Sequence, residues 1–313
     1  MQFKKDGKIN WFLFLRFFGI SLFVIVLFKI DLTQVWTCIT KIEGKYFFIA
    51  LLFQFILLIS KGIRWHLLKQ SHERSGFLQN TAVFFESYAI GVATPGRVGE
   101  FTKIGYENGK QGKVASLLRI VSERGFDLGI FILIAGSALL FYPNLEIGSF
   151  IAVLIVTLAV VLILISFLLL SNNTFATFLN TLISKFIFRK KPISLVTLSH
   201  SVPSSIFIFA LSLVGSLCHF ISCYFLAYGL SFSYGFIEVS GVVSIAGLLN
   251  LLPITIMGLG TREVIFLYFF NNIDSSIILA FSFLVFFVAQ IGGGLIALLL
   301  SQLLMVIDKK QKK

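Results

Sequence analysis

Two short motifs place an arginine among glycines and close to a glutamate. They read PGRVGE at residues 95–100 and GLGTRE at residues 258–263. A guanidinium group binds phosphate through paired hydrogen bonds, and glycine lets backbone N–H groups approach an anion closely. The alternative is that each arginine only closes its own loop by pairing with Glu100 or Glu263. The pattern predicts an anion-binding site, specifically for a lipid phosphate, at Gly96, Arg97, Gly99, Gly260 and Arg262.

A second group of charges recurs on one face of a predicted helix. Arg119, Glu123 and Asp127 follow one another at intervals of four, and Arg124 precedes Asp127 by three. Residues at these spacings are neighbours on a helix surface, so we expect this face to neutralise Arg97. The predicted ion-pair or proton-coupling residues are Glu100, Glu123, Arg124, Asp127 and Glu263.

These charges lie in a chain with the composition of an integral membrane protein. Of its 313 residues, 57% are hydrophobic and 13% are charged, whereas charged residues make up about 25% of a soluble domain. An ionised side chain in hydrocarbon costs on the order of 2.5–3.5 kcal/mol. The charges predicted at membrane depth must therefore be paired with one another or solvated.

Apolar stretches predict an all-α polytopic membrane protein with six full spans and two re-entrant hairpins. A span needs about 20 apolar residues, and the predicted spans are residues 11–30, 46–60, 119–142, 149–170, 203–230 and 276–303. Two other apolar stretches are broken by proline and glycine, namely residues 77–105 at Pro95 and residues 236–270 at Pro253. We interpret both as re-entrant, because irregular backbone at membrane depth needs surrounding protein or a wet cavity.

The basic residues predict the orientation of the spans. Of the 26 lysines and arginines, 20 fall in five segments, which are residues 1–16, 61–76, 103–119, 171–202 and 304–313. Basic residues favour the cytoplasmic side, so both termini are predicted to be cytoplasmic. The net charge of +12 then reflects membrane topology, and we expect no nucleic-acid partner.

With this orientation the predicted elements repeat in two halves of a single transmembrane domain. The order span, span, hairpin, span occurs in residues 1–145 and again, with opposite orientation, in residues 146–313. Broken helices at corresponding positions of an inverted repeat indicate a transport site near the membrane midplane.

The sequence lacks the motifs of common enzymes and cofactor sites. It contains no HExxH, GxSxG or Walker sequence, and Cys38, Cys218 and Cys223 lack the spacing of a metal site or a disulfide framework. We therefore expect no catalytic residue, metal or cofactor. Movement of a substrate would be passive or driven by an ion gradient or the membrane potential.

The chain resembles the lysylphosphatidylglycerol synthase transmembrane family of flippase-like membrane proteins. The matching sequences are TPGRVGE at residues 94–100, ERGFDL at residues 123–128, and the run from Leu252-Pro253 to GTRE at residues 260–263. The last departs from the family pattern, because ITIM fills residues 254–257. The resemblance implies a bacterial or archaeal cytoplasmic membrane and anionic, aminoacylated or polyprenyl-phosphate-linked lipids. We expect the translocation part without the soluble aminoacyl-transferase domain of longer members.

Three functions follow as hypotheses. The first is a lipid translocase in which the phosphate of a membrane lipid docks on Arg97 and Arg262. The second is a non-catalytic membrane subunit for a separate lipid glycosyl- or aminoacyl-transferase. The third is an intramembrane lipid-modifying enzyme with Glu100 or Asp127 as its base.

Overall fold

The computed structural model describes residues 32–69, 76–107, 109–141, 149–178, 181, 198, 200–250 and 258–311. Within these residues the chain forms helices and no strand. The helices are α1 (Leu32–Lys41), α2 (Gly44–Leu68), α3 (Phe77–Ala93), α4 (Gly109–Phe141), α5 (Ser149–Ser171), α6 (Val202–Gly229), α7 (Phe236–Asn250), α8 (Thr261–Phe269), α9 (Ser275–Phe286) and α10 (Gly293–Gln311). A 3₁₀ segment, Pro95–Tyr106, follows α3, and a π-helical turn, Phe287–Gly292, joins α9 to α10.

Four helices of the described part are long and apolar enough to cross a membrane, which makes the protein an all-α polytopic membrane protein. They are Gly44–Leu68, Phe150–Ser171, Val202–Gly229 and the continuous helix Ser275–Gln311. These four correspond, to within one residue at the ends, to the predicted spans at residues 46–60, 149–170, 203–230 and 276–303 or extend beyond them. Helix α4 covers residues 119–141 of the predicted span 119–142 and begins already at Gly109. The predicted span 11–30 lies outside the described residues.

The bases nearest the helices in the predicted segments 61–76 and 103–119 are buried by protein and are not solvated loop residues. Helix α2 continues to Leu68, so Lys61 and Arg64 belong to a helix rather than to a loop. Arg64, Lys103 and Arg119 are buried, with at most 1% of their surface exposed. The sequence prediction ended the apolar stretch at these charges because it treated them as solvated. In the structure, acidic side chains neutralise Arg64 and Lys103.

Close packing of α4 on α5 determines which way the charged face of α4 points. Gly125 and Gly129 of α4 lie directly against α5, and a Cβ atom at Gly129 would lie only 2.5 Å from Ile163 Cγ1. Small residues spaced in this way let two helix backbones approach each other. Glu123 and Asp127 are each two residues from Gly125, so their side chains point about 200° around the helix from it. The charged face is therefore turned away from α5 and towards the centre of the molecule.

The chain reverses direction after α3. Gly96 has φ 62° and Arg97 has φ 55°, two successive residues in the left-handed region. Beyond this turn, the 3₁₀ segment runs back along α3, where Thr102 Oγ1 donates to Ser87 Oγ at 3.0 Å. A Cβ atom at Gly99 would lie 2.6 Å from the carbonyl oxygen of Ile90, so only glycine permits this approach.

A second turn lies between α7 and α8, which pack against each other. Gly258 has φ 79° and Gly260 has φ 89°. Gly258 lies against the end of α7, because a Cβ atom there would come 2.2 Å from Asn250 Oδ1. The predicted break at Pro253 lies outside the described residues.

Candidate functional site

A cavity of about 150 Å³ brings the two arginine motifs together. Arg97 and Gly96 line it from the turn after α3, and Arg262 lines it from the start of α8. A single water molecule needs only about 10–15 Å³ of such space, so a much larger group fits. The sequence motifs thus meet at one place, as the hypothesis of a shared site requires. Gly99 and Gly260 are not among the lining residues. Each instead permits the backbone geometry of the turn that carries Arg97 or Arg262.

The charged groups on the cavity wall are mostly basic. Lys61, Arg97, Arg124 and Arg262 line the cavity, and Asp127 is the acid that lines it within the described part of the chain. Partly buried charges are screened less by salt than charges at the surface. The wall therefore presents a positive potential to any group that enters.

Arg97 is the basic group of the wall with the weakest pairing. Its Nη1 atom lies 3.7 Å from Glu100 Oε1, beyond hydrogen-bond distance, and 28% of the side chain is exposed. The guanidinium lies over the ring of Tyr88, 5.4 Å from the ring centre. Glu100 instead forms a close ion pair with Arg124. Arg97 thus keeps donors that can bind an anion, and a glycine-rich turn positions them.

Arg262 is held more firmly than Arg97. Its Nε atom donates to Ser282 Oγ at 2.7 Å, and its Nη2 atom donates to Glu263 Oε1 at 2.7 Å. Ser282 Oγ also donates to Glu263 Oε1 at 2.6 Å. The other oxygen of Glu263 accepts the backbone N–H of Gly260 at 2.6 Å. Glu263 therefore closes this loop by binding Gly260 and Arg262, as the alternative hypothesis predicts. Arg262 takes part in closing the loop and also lines the cavity.

The charged face of α4 does not neutralise Arg97, and that expectation is wrong. Glu123 accepts hydrogen bonds from Arg64 Nη2 at 2.7 Å and from Lys103 Nζ at 2.8 Å. Asp127 accepts them from Arg64 Nη1 at 2.6 Å and from Lys61 Nζ at 2.8 Å. Helical spacing correctly puts the two acids on one face, but the bases that meet this face come mainly from α2.

Sequence reasoning missed Lys61, Arg64 and Lys103 as parts of this network. Lys61 and Arg64 are three residues apart at the end of an apolar run, a spacing that matches the pair of acids on α4. This matching spacing could have indicated that Lys61 and Arg64 pair with Glu123 and Asp127. Hydropathy placed these bases in solvated segments, because it treats every charge as a boundary.

His219 of α6 is a further residue of the cavity wall to which sequence reasoning gave no role. Its ring stacks on Phe131, with ring centres 5.8 Å apart and planes at 21°. Within the described residues, no three His, Cys, Asp or Glu side chains come together as a possible metal site.

The architecture and the site define a class: a polytopic α-helical membrane protein with a basic internal cavity. The family model for the lysylphosphatidylglycerol synthase TM region matches residues 14–297. The chain belongs to this family, and the resemblance noted in the sequence is confirmed. The matched range includes both arginine motifs and the charged face of α4. Membership indicates a membrane protein associated with lipid metabolism or translocation. A comparison with curated proteins gives no match.

Proposed function

We propose that the protein translocates a phosphate-bearing lipid, either a phospholipid or a polyprenyl-phosphate-linked lipid. The observation that carries this proposal is that Arg97 and Arg262, from two separate turns, line one cavity with an excess of basic groups. The headgroup phosphate docks between the two arginines, and the acyl or prenyl tails stay in the bilayer. A basic, glycine-shaped site inside helices that cross the membrane suits a substrate with an anionic head and an apolar tail.

The proposed arrangement is an inverted repeat of residues 1–145 and 146–313 with six full spans. The turns at residues 94–99 and 258–260 would be the tips of two re-entrant hairpins that enter from opposite sides. Their left-handed glycines and their common cavity support this arrangement. Both termini would face the cytoplasm of a bacterial or archaeal cell. Rocking of one half against the other would expose the cavity first to one leaflet and then to the other.

A transport role is favoured over an enzymatic one by the state of the carboxylates. A general base must be free to take up a proton from its substrate. Asp127 is bound by Arg64 and Lys61, and Glu100 is bound by Arg124. Neither acid proposed as a base is free, so we propose that the protein is not an enzyme and that its movement of lipid needs no cofactor.

The proposal is tested by following labelled lipid in reconstituted vesicles. Purified protein is placed in vesicles that contain a trace of phosphatidylglycerol labelled on an acyl chain. Dithionite then bleaches only the outer leaflet, so translocation shows as a loss of the protected fraction. A parallel set of vesicles carries a labelled polyprenyl phosphate, and both sets are measured with and without a membrane potential.

We expect Arg97→Ala and Arg262→Ala each to slow translocation about tenfold or more. A hydrogen bond to a charged group contributes about 1.5–3 kcal/mol, and 1.4 kcal/mol corresponds to a factor of ten. The matched control is Lys45→Ala, which removes an exposed base whose partner is Glu43, and it should translocate normally. A folded Arg97→Ala protein that moves both lipids at the wild-type rate would refute the proposal.

A further inference from the structure

Both oxygens of the carboxylate on the cavity wall already accept hydrogen bonds from basic side chains of the protein. Asp127 Oδ1 accepts from Arg64 Nη1 at 2.6 Å. Asp127 Oδ2 accepts from Lys61 Nζ at 2.8 Å and from Arg64 Nη2 at 3.2 Å. Both oxygens are therefore occupied by protein donors, although 13% of the side chain is exposed.

Glu100 and Glu263, which lie beside bases of the cavity wall, are also paired with protein groups. Glu100 pairs with Arg124 and approaches Arg97. Glu263 accepts from Arg262 and Ser282 through Oε1, and from the Gly260 backbone through Oε2. In the described part of the chain, Asp127, Glu100 and Glu263 are thus each already paired with a basic side chain.

An ammonium group in this cavity would face four bases and a single acid on the wall within the described part of the chain. It would leave water and meet the four bases of the wall, while each neighbouring carboxylate is already paired with a base of the protein. Burying a charge without a partner is unfavourable, and like charges brought together at a binding site oppose association. A headgroup with a phosphate and uncharged hydroxyls avoids both costs.

We propose that the cavity selects phosphate lipids without an ammonium group, and that Lys61 determines this selectivity by occupying Asp127. This inference rests on the proposed translocase function and specifies its substrate class. Lys61 is a specificity-determining residue rather than a phosphate ligand. Without the ammonium group of Lys61, Asp127 Oδ2 would keep only its 3.2 Å hydrogen bond from Arg64 Nη2 and could accept a second donor from the cavity.

The structure shows why removing Lys61 alone should expose Asp127 without releasing it. Arg64 is fully buried and holds Asp127 from behind with two hydrogen bonds. Lys61 lies on the side of the cavity, 15% exposed, beside Gly215 of α6. Lys61→Gln therefore changes the charge at the wall and leaves the anchoring pair intact.

The test compares two lipids of similar size in the vesicle assay, phosphatidylglycerol and phosphatidylethanolamine, both labelled on an acyl chain. The wild-type protein should move phosphatidylglycerol about tenfold faster or more, because a misplaced like charge is strongly unfavourable. Lys61→Gln should raise the rate for phosphatidylethanolamine and reduce this preference several-fold. Lys61→Arg should keep the wild-type preference, because it retains the positive charge. Lys45→Gln is the matched surface control and should also keep it.

The outcomes separate this inference from the proposed function. If the wild-type protein moves neither these lipids nor the labelled polyprenyl phosphate, translocation itself is refuted. Equal rates for phosphatidylglycerol and phosphatidylethanolamine would overturn the selectivity while translocation stands. If Lys61→Gln moves phosphatidylglycerol and still rejects phosphatidylethanolamine, Lys61 has no part in the selectivity. Should Lys61→Gln fail to fold, the wild-type preference still decides whether the cavity excludes ammonium groups.

Discussion

Replacing Glu123 should destabilise the protein strongly, because Glu123 compensates a fully buried lysine. Lys103 has no exposed side-chain surface, and its carboxylate partner in the described part of the chain is Glu123, at 2.8 Å. Arg64 is the other basic partner of Glu123, and in a Glu123 variant it would still be paired with Asp127. In Glu123→Gln, the uncompensated charge is therefore concentrated on Lys103. Breaking a buried pair by removing one partner costs about 3–5 kcal/mol, and we expect a loss of that size.

A second substitution distinguishes lost charge compensation from a general packing defect. Lys103→Met in the Glu123→Gln background removes the buried cation and should recover about 0.5–3 kcal/mol, the usual range of interaction energies between residues in direct contact. The aromatic rings around the ammonium, Trp65 at 4.4 Å and Phe84 at 5.0 Å, would then pack against a methionine side chain, to which aromatic rings are favourable neighbours.

The free energy of unfolding is measured by titrating SDS into mixed micelles and following tryptophan fluorescence. Trp65 lies beside Lys103 and is fully buried, so its emission reports on this part of the molecule. A Glu123→Gln protein whose stability stays within about 0.5 kcal/mol of the wild type, as for an ordinary surface substitution, would refute the reasoning. So would a double variant that is less stable than Glu123→Gln alone.

Two further substitutions test the turns that carry the arginines. Gly99→Ala should cost about 1–3 kcal/mol in the same unfolding assay, because its Cβ atom would meet the backbone of Ile90. Gly105→Ala, in the same 3₁₀ segment, is the control and should be close to neutral, since a Cβ atom there meets nothing within 4 Å. Ser282→Ala removes the acceptor of Arg262 Nε and should slow vesicle translocation several-fold while the protein stays folded; an unchanged rate would show that this contact does not position the guanidinium.

The most apolar helices could be predicted closely from the sequence. The stretch at residues 149–170 corresponds to a helix from Ser149 to Ser171, and the stretch at residues 203–230 to one from Val202 to Gly229. A continuous apolar run needs no knowledge of its neighbours, because lipid or protein can cover any of its faces.

The end of α2 could not be predicted in the same way. Lys61 and Arg64 stop the apolar run, and only acids on α4, far along the chain, allow the helix to continue through them. The cost of a charge at membrane depth depends on its partner, and hydropathy contains no information about partners. For the same reason, helical spacing grouped Glu123 with Asp127 but could not show which base faces them.

The meeting of the two arginines was predictable in outline only. Glycine lies one residue before Arg97 and two residues before Arg262, which predicted turns at both places. Repetition of the pattern suggested a common site. The unequal pairing of the two side chains was not predictable, because it depends on Arg124 taking Glu100 and on Ser282 reaching Arg262 from α9. These contacts arise from tertiary packing, which local sequence does not encode.

The central claim is that a lipid headgroup binds between the turns that carry Arg97 and Arg262. The most direct test is a cryo-EM map of the protein in nanodiscs of phosphatidylglycerol. We predict headgroup density in the cavity, with its phosphate within hydrogen-bond distance of both guanidinium groups. A map in which lipids surround only the outer helix faces, while Arg97 pairs closely with Glu100 and the cavity is closed by side chains, would contradict the account.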